Sequence, residues 1–271
     1  MGHFSFKFIL SSPRILKPSR KGIEENEMEK KRQWLLTTTL FISLGLAACG
    51  SQSVLSQTEA NNQTTTKTST NSTAAITGTS TYFEASDLTA TYDESKASKI
   101  SLQGTTATVS GDGVTVNGST VEITKAGTYI VEGTASKVQL KVAAGKEDEV
   151  QIVFKNATLK NTEAPLLVDT AKKVILTVAD GTKNEVSDES TSTVKGAIYS
   201  DSDLTINGKG SLTVNGNASN AVKSKDSIRI VDATITTTAK KHGIAANDFV
   251  NVTSATLNLS ADEDGIHSDN E

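Results

Sequence analysis

Apolar and polar residues alternate near the end of the chain, and the alternating pattern repeats itself. One copy begins at Asn220, the next at His242 and a third at Asp264, so the period is 22 residues. Within each copy the alternation has a period of two, as in residues 228–230, which is typical of β-strands. A fixed repeat of this length predicts a solenoid, here a parallel β-helix with coils about 4.8 Å apart. The apolar residues at matched places, which we expect to point inward, are Val222, Ile244 and Ile266; Ile228 and Val250; Ile230 and Val252; Ile235 and Leu257.

The same alternation extends back to about residue 81. Short strand-like runs between residues 100 and 131 are separated by glycines, which interrupt strands. Farther on, residues 150–159 match residues 250–257 almost position for position, and no stretch has a helical period. We therefore expect an all-β chain in which residues 81–271 form one right-handed parallel β-helix of about 22 residues per coil, with its first turns as an irregular cap.

The third copy stops at Glu271, after Ile266 but before the residues equivalent to Val250 and Val252. Solenoids need capped ends, because an open coil leaves its apolar interior in water. We therefore expect this sequence to be truncated, with further coils in the natural protein.

The start of the chain has the pattern of an export signal that begins at a second methionine, Met28. A basic cluster at residues 30–32 precedes an apolar run at residues 35–46, and small residues lead to Cys49. This arrangement resembles a bacterial lipobox, which implies cleavage before Cys49 and lipidation of its thiol. The apolar run is short for a transmembrane helix, which needs about 20 residues. We interpret residues 1–27 as lying upstream of the true start, 28–48 as a lipoprotein signal peptide, and 49–80, rich in Ser, Thr and Asn, as a flexible tether.

Charge and cysteine content agree with an exported surface protein. Residues 1–48 hold eight of the 27 basic and four of the 31 acidic residues, so the remainder has a net charge of −8. Such an acidic chain is a poor match for nucleic acid. Cys49 is the only cysteine, so no disulfide can stabilise the domain. We expect a monomer that is held by its lipid on the extracellular face of the bacterial cell membrane.

A family resemblance is clearest in residues 195–217, which read KGAIYSDSDLTINGKGSLTVNGN. With the 22-residue copies that follow, and with upstream pieces at residues 127–131 and 176–184, this stretch resembles a family of bacterial carbohydrate-binding surface lipoproteins over roughly residues 82–271. The resemblance implies a pectate-lyase-like right-handed parallel β-helix, bound calcium and affinity for plant-wall polysaccharides such as cellulose or polygalacturonate. It implies no established lyase activity.

Acidic and amide side chains recur where each coil turns. Carboxylates on adjacent coils lie close enough to repel each other, and a hard cation with several oxygen ligands removes that cost. The pattern therefore favours calcium, although Asp and Asn are also common turn residues that bond to their own backbone. The aligned columns are Ser202, Asp226, Asp248 and Asn270, beside Asp201, Lys225, Asn247 and Asp269, and the candidate calcium ligands are Asp201, Asp203, Asp226, Asp248, Asp262, Asp264 and Asp269.

The same register places lysines beside acidic residues of the last copy. Lys240 aligns with Asp262, and Lys241 aligns with Glu263. We expect these exposed ion pairs, which are individually weak, to compete with calcium for the carboxylates.

Aromatic residues for stacking on sugars are scarce, and the only tryptophan, Trp34, lies in the predicted leader. We therefore expect polar, calcium-assisted recognition, which favours acidic polymers such as pectate over crystalline cellulose. The candidate ligand-binding residues are Tyr199, Asn220, Lys223 and Asn247.

Two other functions stay open at this point. A tether followed by a rigid solenoid also suits a surface adhesin or spacer. A calcium-dependent polysaccharide lyase would need a lysine or arginine base, but Arg229 lies on a strand between two inward residues and lysines on strand surfaces are usually solvated. His242 and His267 do not share a column. We therefore favour a carbohydrate-binding protein without catalytic residues.

Overall fold

Residues 82–270 fold entirely into strands and turns, and no helix occurs in that range. These are the residues that the computed structural model describes; the predicted leader and tether lie outside them. The predicted all-β class is confirmed. The strands are β1 (Ser98–Gly104), β2 (Thr106–Ser110), β3 (Val114–Asn117), β4 (Thr120–Ile123), β5 (Gly127–Ser136), β6 (Gln139–Ala143), β7 (Glu149–Lys160), β8 (Leu166–Thr170), β9 (Lys173–Val178), β10 (Lys183–Ser187), β11 (Gly196–Ser200), β12 (Asp203–Asn207), β13 (Ser211–Gly216), β14 (Asn220–Ser224), β15 (Ile228–Val231), β16 (Thr234–Ala239), β17 (Ile244–Ala246), β18 (Val250–Thr253), β19 (Thr256–Ala261) and β20 (Ile266–Ser268).

Three stacks of parallel strands form the solenoid, and each regular coil contributes one strand to each stack. Face 1 contains β6, β8, β11, β14, β17 and β20; face 2 contains β9, β12, β15 and β18; face 3 contains β10, β13, β16 and β19. Strand β7 turns the corner between two faces, because its first half pairs with β9 and its second half with β10. The predicted parallel β-solenoid is confirmed, with about 6 turns of roughly 24 residues.

The 22-residue period holds in the last coils and lengthens upstream. Ile228 pairs with Val250, 22 residues on, whereas Leu204 pairs with Ile228 across 24 residues. Val174 pairs with Leu204 across 30 residues, because residues 188–195 form a loop between β10 and β11. The period read from the final copies therefore understates the average coil.

Apolar residues at matched positions of successive coils form one core. Val222, Ile228 and Ile230 are fully buried, as the period of two predicts. Each such side chain contributes about 1.5–3 kcal/mol through burial. In the last coil Val252 and Ile266 are 40% and 45% exposed, since a neighbouring coil covers them on one side only.

The first four strands depart from the parallel pattern. Strand β1 pairs antiparallel with β2, and β3 pairs antiparallel with β4. Strands β1 and β4 then join β5 and β6 in parallel. These two hairpins lie at the start of the solenoid, where the sequence predicts irregular first turns.

Residues 82–97, which we call the strap, precede β1 and pack on the outer side of face 2. The Asp87 carboxylate is fully buried there and accepts hydrogen bonds from Lys173 Nζ at 2.9 Å and from Thr205 Oγ1 at 2.5 Å. Arg229 Nε lies 3.6 Å from its second oxygen. These three partners belong to β9, β12 and β15, so the strap connects three successive coils. Arg229 points outward as the sequence predicts, but the strap leaves its side chain only 10% exposed.

The corner between face 2 and face 3 uses left-handed backbone. Gly208, Asp232 and Ser254 follow paired strand residues of successive coils and have φ values of 98°, 60° and 54°. A Cβ atom on Gly208 would lie 2.3 Å from the carbonyl oxygen of Val178, so only glycine fits there. Short polar residues tolerate this conformation best among the others. Asp232 is thus a turn residue.

Candidate functional site

The outer side of face 1 carries a column of side chains, one from each coil. Alternation along the strands points them away from the core. Ala245 has the smallest side chain of this column, and a groove of about 430 Å³ opens over it between Lys223 and His267. We call this depression the groove. The residues of the column, in register, are Leu167, Tyr199, Lys223, Ala245 and His267.

The groove is lined mainly by basic and neutral polar side chains. Lys195, Lys223 and Lys241 line it, and Asp269 is the only carboxylate among its lining residues. Because like charges in a concave, partly desolvated surface reinforce one another, the lysines give the groove a positive potential. Its charge is opposite in sign to that of the chain as a whole, which has a net charge of −4.

Three of the four predicted ligand-binding residues line the groove. The Lys223 ammonium donates to Asn247 Oδ1 at 2.5 Å and lies 3.5 Å from Asp269 Oδ2. The Asn220 amide donates to the carbonyl of Lys195 at 2.6 Å, and its oxygen accepts the backbone N–H of His242 at 3.2 Å. Asn220 therefore positions the wall of the groove, whereas Lys223 supplies its charge.

The fourth predicted residue, Tyr199, lies in the same outward column one coil before Lys223 and does not line the groove. Its ring is partly exposed, and Lys225 Nζ lies 5.9 Å from the ring centroid. A cation at this distance is attracted by the face of the ring.

The predicted columns of acidic and amide residues exist at the carboxyl ends of the face 1 strands. The register that pairs Ser224 with Ala246 places Asp226 beside Asp248. Burial raises the pKa of the Asp226 carboxyl to about 6, and the neighbouring Asp248 and Asp203 act in the same direction. In residues 82–270 no lysine or arginine lies within ion-pairing distance of Asp226 or Asp248. Asp248 thus disfavours the charged form of Asp226, in addition to the larger effect of burial.

The other candidate calcium ligands have partners of their own. Asp201 pairs with Lys225 at 2.9 Å, and Asp203 pairs with Arg229 Nη1 at 3.1 Å. Asp262 pairs with Lys240 at 3.3 Å, as the register predicts. Asp264 and Asp269 both contact His267, at 3.2 and 3.0 Å. The structure therefore divides the seven acids among several arrangements, and Asp226 and Asp248 are the pair without a basic partner in the described part of the chain.

The two histidines of the domain meet although they do not share a column. His267 pairs in register with Ala245, yet its ring stacks on that of His242 with centroids 4.2 Å apart and planes 5° apart. Burial, with the nearby His267 and Lys241, lowers the pKa of the His242 imidazole. Sequence alignment by columns missed this contact, because it compares residues in register and not diagonal neighbours. The one indication in the sequence was the small side chain of Ala245, which leaves space beside His267 for the ring of His242.

Comparison with known proteins identifies the family of this chain. Residues 117–271, which include the groove and all the acidic columns, match the family described as carbohydrate-binding domain-containing protein. The chain belongs to this family. A carbohydrate-binding domain-containing protein of Acetivibrio thermocellus is 34% identical over 137 residues. That match covers 47% of this chain and 48% of the relative, so the chain spans about half the length of that protein.

A solved structure has the same fold as this carbohydrate-binding domain. It is a gadolinium derivative of the polysaccharide lyase-like protein from C. thermocellum, with a TM-score of 0.54 and 24% sequence identity. The likeness covers 65% of this chain and 95% of that one. It supports the solenoid fold assigned above.

The predicted lipidation site, Cys49, lies outside the described residues. Within residues 82–270, no helix has the length and apolar character needed to cross a membrane.

Proposed function

We propose that the groove binds an acidic polysaccharide of the plant-wall type, with uronate carboxylates paired to its lysines. Membership of the carbohydrate-binding family supports a saccharide ligand. The observation that supports an acidic ligand is the lining of the groove, which contains three lysines and one carboxylate. A neutral glucan offers those ammonium groups only hydroxyl and ether acceptors, whereas each uronate residue brings a carboxylate that forms a stronger charge-assisted hydrogen bond.

We further propose that calcium binds at Asp226 and Asp248, next to the groove. The two carboxylates face each other from adjacent coils, and the amide of Asn270 donates to Asp248 Oδ1 at 3.0 Å. Calcium takes six to eight oxygen ligands in flexible geometry, and two carboxylates without a basic partner in residues 82–270 supply part of such a set. A uronate chain lying along face 1 would complete it with its own oxygens.

Binding without catalysis is the function that we favour. A lyase needs a lysine or arginine free to remove a proton from the sugar. The Lys223 ammonium instead donates to Asn247 and lies near Asp269, an arrangement that holds a charge in place.

The position of the protein on the cell also belongs to the proposal. A lipid on Cys49 would anchor it to the outer face of the bacterial membrane, with residues 49–80 as the tether.

Isothermal titration of the full chain with polygalacturonate tests the role of the groove. Lys223→Ala removes a charge-assisted contact worth about 1.5–3 kcal/mol, so we expect binding to weaken about 10- to 100-fold. Lys183→Ala is the matched control, because it removes the same charge from an exposed position on β10 of face 3. Equal binding by both variants, or equal binding to a neutral cello-oligosaccharide, would contradict the proposed acidic ligand.

The same titration in a calcium chelator tests the cation. We expect weaker binding without calcium, and equal affinity in the two buffers would remove calcium from the proposal. Unsaturated uronides, followed by their absorbance, would show lyase activity instead. A glycan array without any ligand, together with capture of a protein partner, would favour a surface adhesin.

A further inference from the structure

We propose that His242, Asp264 and His267 bind a divalent transition-metal ion, such as Zn²⁺, at the end of the groove. The three side chains offer one ligand atom each, and these atoms lie within 4.8 Å of one another. His242 belongs to the turn between β16 and β17, whereas Asp264 and His267 come from the next coil. A metal here would therefore join two coils.

The spacing of the ligand atoms fits a small tetrahedral site. Asp264 Oδ2 lies 3.2 Å from Nδ1 of His242 and 3.2 Å from Nδ1 of His267. Ligands about 2.1 Å from a tetrahedral metal are about 3.4 Å apart. The carboxylate oxygen is thus near the separation from each imidazole nitrogen that zinc requires.

One ring must tilt before both nitrogens can point at one ion. The imidazoles are stacked and nearly parallel, whereas a metal lies in the plane of each ring that binds it. The His242 side chain is 5% exposed and held by its surroundings, but that of His267 is 35% exposed. His267 is therefore the ring that moves.

A carboxylate lies near Nε2 of each histidine, the nitrogen opposite the proposed ligand atom Nδ1. The backbone N–H of Asp264 donates to His242 Nδ1 at 3.2 Å, so the proton of this imidazole lies on Nε2, 3.4 Å from Glu263 Oε2. A metal on Nδ1 would take the place of that backbone N–H. Asp269 Oδ1 lies 3.0 Å from Nε2 of His267. Carboxylates on the second nitrogen of metal-binding histidines fix the tautomer and orient the ring.

The donor set selects the class of metal. Two imidazole nitrogens and one carboxylate suit Zn²⁺, Cu²⁺, Ni²⁺ or Co²⁺, whereas calcium prefers oxygen ligands alone. This site is therefore separate in chemistry from the calcium proposed at Asp226 and Asp248. Three protein ligands leave a fourth position for water or a sugar oxygen from the groove.

Zinc titration of the full chain tests the site, by competition with a chromophoric chelator. The chain has three histidines and one cysteine, so a background with His3→Ala and Cys49→Ser leaves His242 and His267 as its only imidazoles. In that background we expect one bound Zn²⁺ that millimolar calcium does not displace. His267→Ala should weaken zinc binding at least about tenfold, the lower limit of what even an outer-shell partner contributes. Asp264→Asn should weaken it as well.

Asp262→Asn is the matched control. Asp262 is an exposed acid two residues before Asp264, but it pairs with Lys240, so its replacement should leave zinc binding unchanged. With Cu²⁺ in place of zinc, the electron paramagnetic resonance spectrum should show coupling to two imidazole nitrogens, and His267→Ala should reduce it to one. The proposal is overturned if the background protein binds no zinc, if His267→Ala and Asp264→Asn bind as tightly as that protein, or if copper shows only oxygen ligands.

Discussion

Replacing Asp226 by asparagine should stabilise the protein at neutral pH and remove part of its pH dependence. The pKa of this carboxyl is raised to about 6, mainly by burial and also by Asp248 and Asp203. The folded state therefore holds the Asp226 proton more tightly than the unfolded state, in which the pKa is close to its ordinary 3.8. By linkage, the contribution of Asp226 to the free energy of unfolding falls as the pH rises from about 4 to about 6 and is constant above that range. Asparagine keeps the shape of the protonated acid and never acquires its charge.

The size of the effect follows from the two pKa values. The difference between 3.8 and about 6 corresponds to at most about 3 kcal/mol, at about 1.36 kcal/mol for each pH unit. Partial exposure of Asp226 to water reduces this figure, so we expect Asp226→Asn to be about 1–3 kcal/mol more stable than the wild type at pH 8. At pH 4 the two proteins should differ little, because the wild-type carboxyl is then protonated.

Urea unfolding of both proteins between pH 4 and pH 8, without calcium, measures this difference. Asp262→Asn is the control, since Asp262 is exposed and paired with Lys240. A variant that is less stable than the wild type at pH 8, or a difference between them that does not grow from pH 4 to pH 6, would refute the argument. Adding calcium at 100 times its dissociation constant should raise the free energy of unfolding of the wild type by about 2.7 kcal/mol. The same calcium concentration should raise that of Asp226→Asn by less.

Two further predictions concern the strap and the leader. Asp87→Asn leaves the buried Lys173 with Glu84 as its remaining acidic partner, so it should cost about 3 kcal/mol of unfolding free energy, measured in urea. The exposed Asp93→Asn in the same strap should cost much less, and a similar loss in both variants would contradict a specific role for Asp87. Cys49→Ser should abolish incorporation of labelled fatty acid in a bacterial host and release the protein into the medium. A variant that still fractionates with the membrane would show that the anchor lies elsewhere.

The regular part of the fold could be predicted because one period dominates it. Inward residues such as Val222 and Ile230 follow an alternation that any parallel coil must satisfy, and the structure buries them completely. The strap could not be predicted in the same way. Its key contact joins Asp87 to Lys173 across 86 residues, and no periodic signal links a turn residue to a lysine at the start of a distant strand.

The candidate site was predictable only where it follows the register. The alignment of copies placed Asp226 beside Asp248 and Lys240 beside Asp262, and the structure has both neighbours. It did not find the stacked imidazoles, because they are joined diagonally between coils. The alignment also could not separate the acids that have basic partners from those that do not. Arg229 on β15, for example, reaches Asp203 on the neighbouring strand β12, although its partner in register is Thr205.

The unpaired acids carry the strongest argument for a function of this surface. A coil stacked in parallel repeats its turn residues at every level, so acidic columns arise readily and a basic partner in the next coil neutralises them, as at Asp201 and Asp262. Within residues 82–270, Asp226 and Asp248 have no such partner, and the raised pKa of Asp226 means that its charged form costs stability at neutral pH. A turn needs neither charge, because asparagine serves the same backbone geometry. A local cost without a structural return is expected where a site binds something, and the calcium ion that we propose would supply the missing counter-charge.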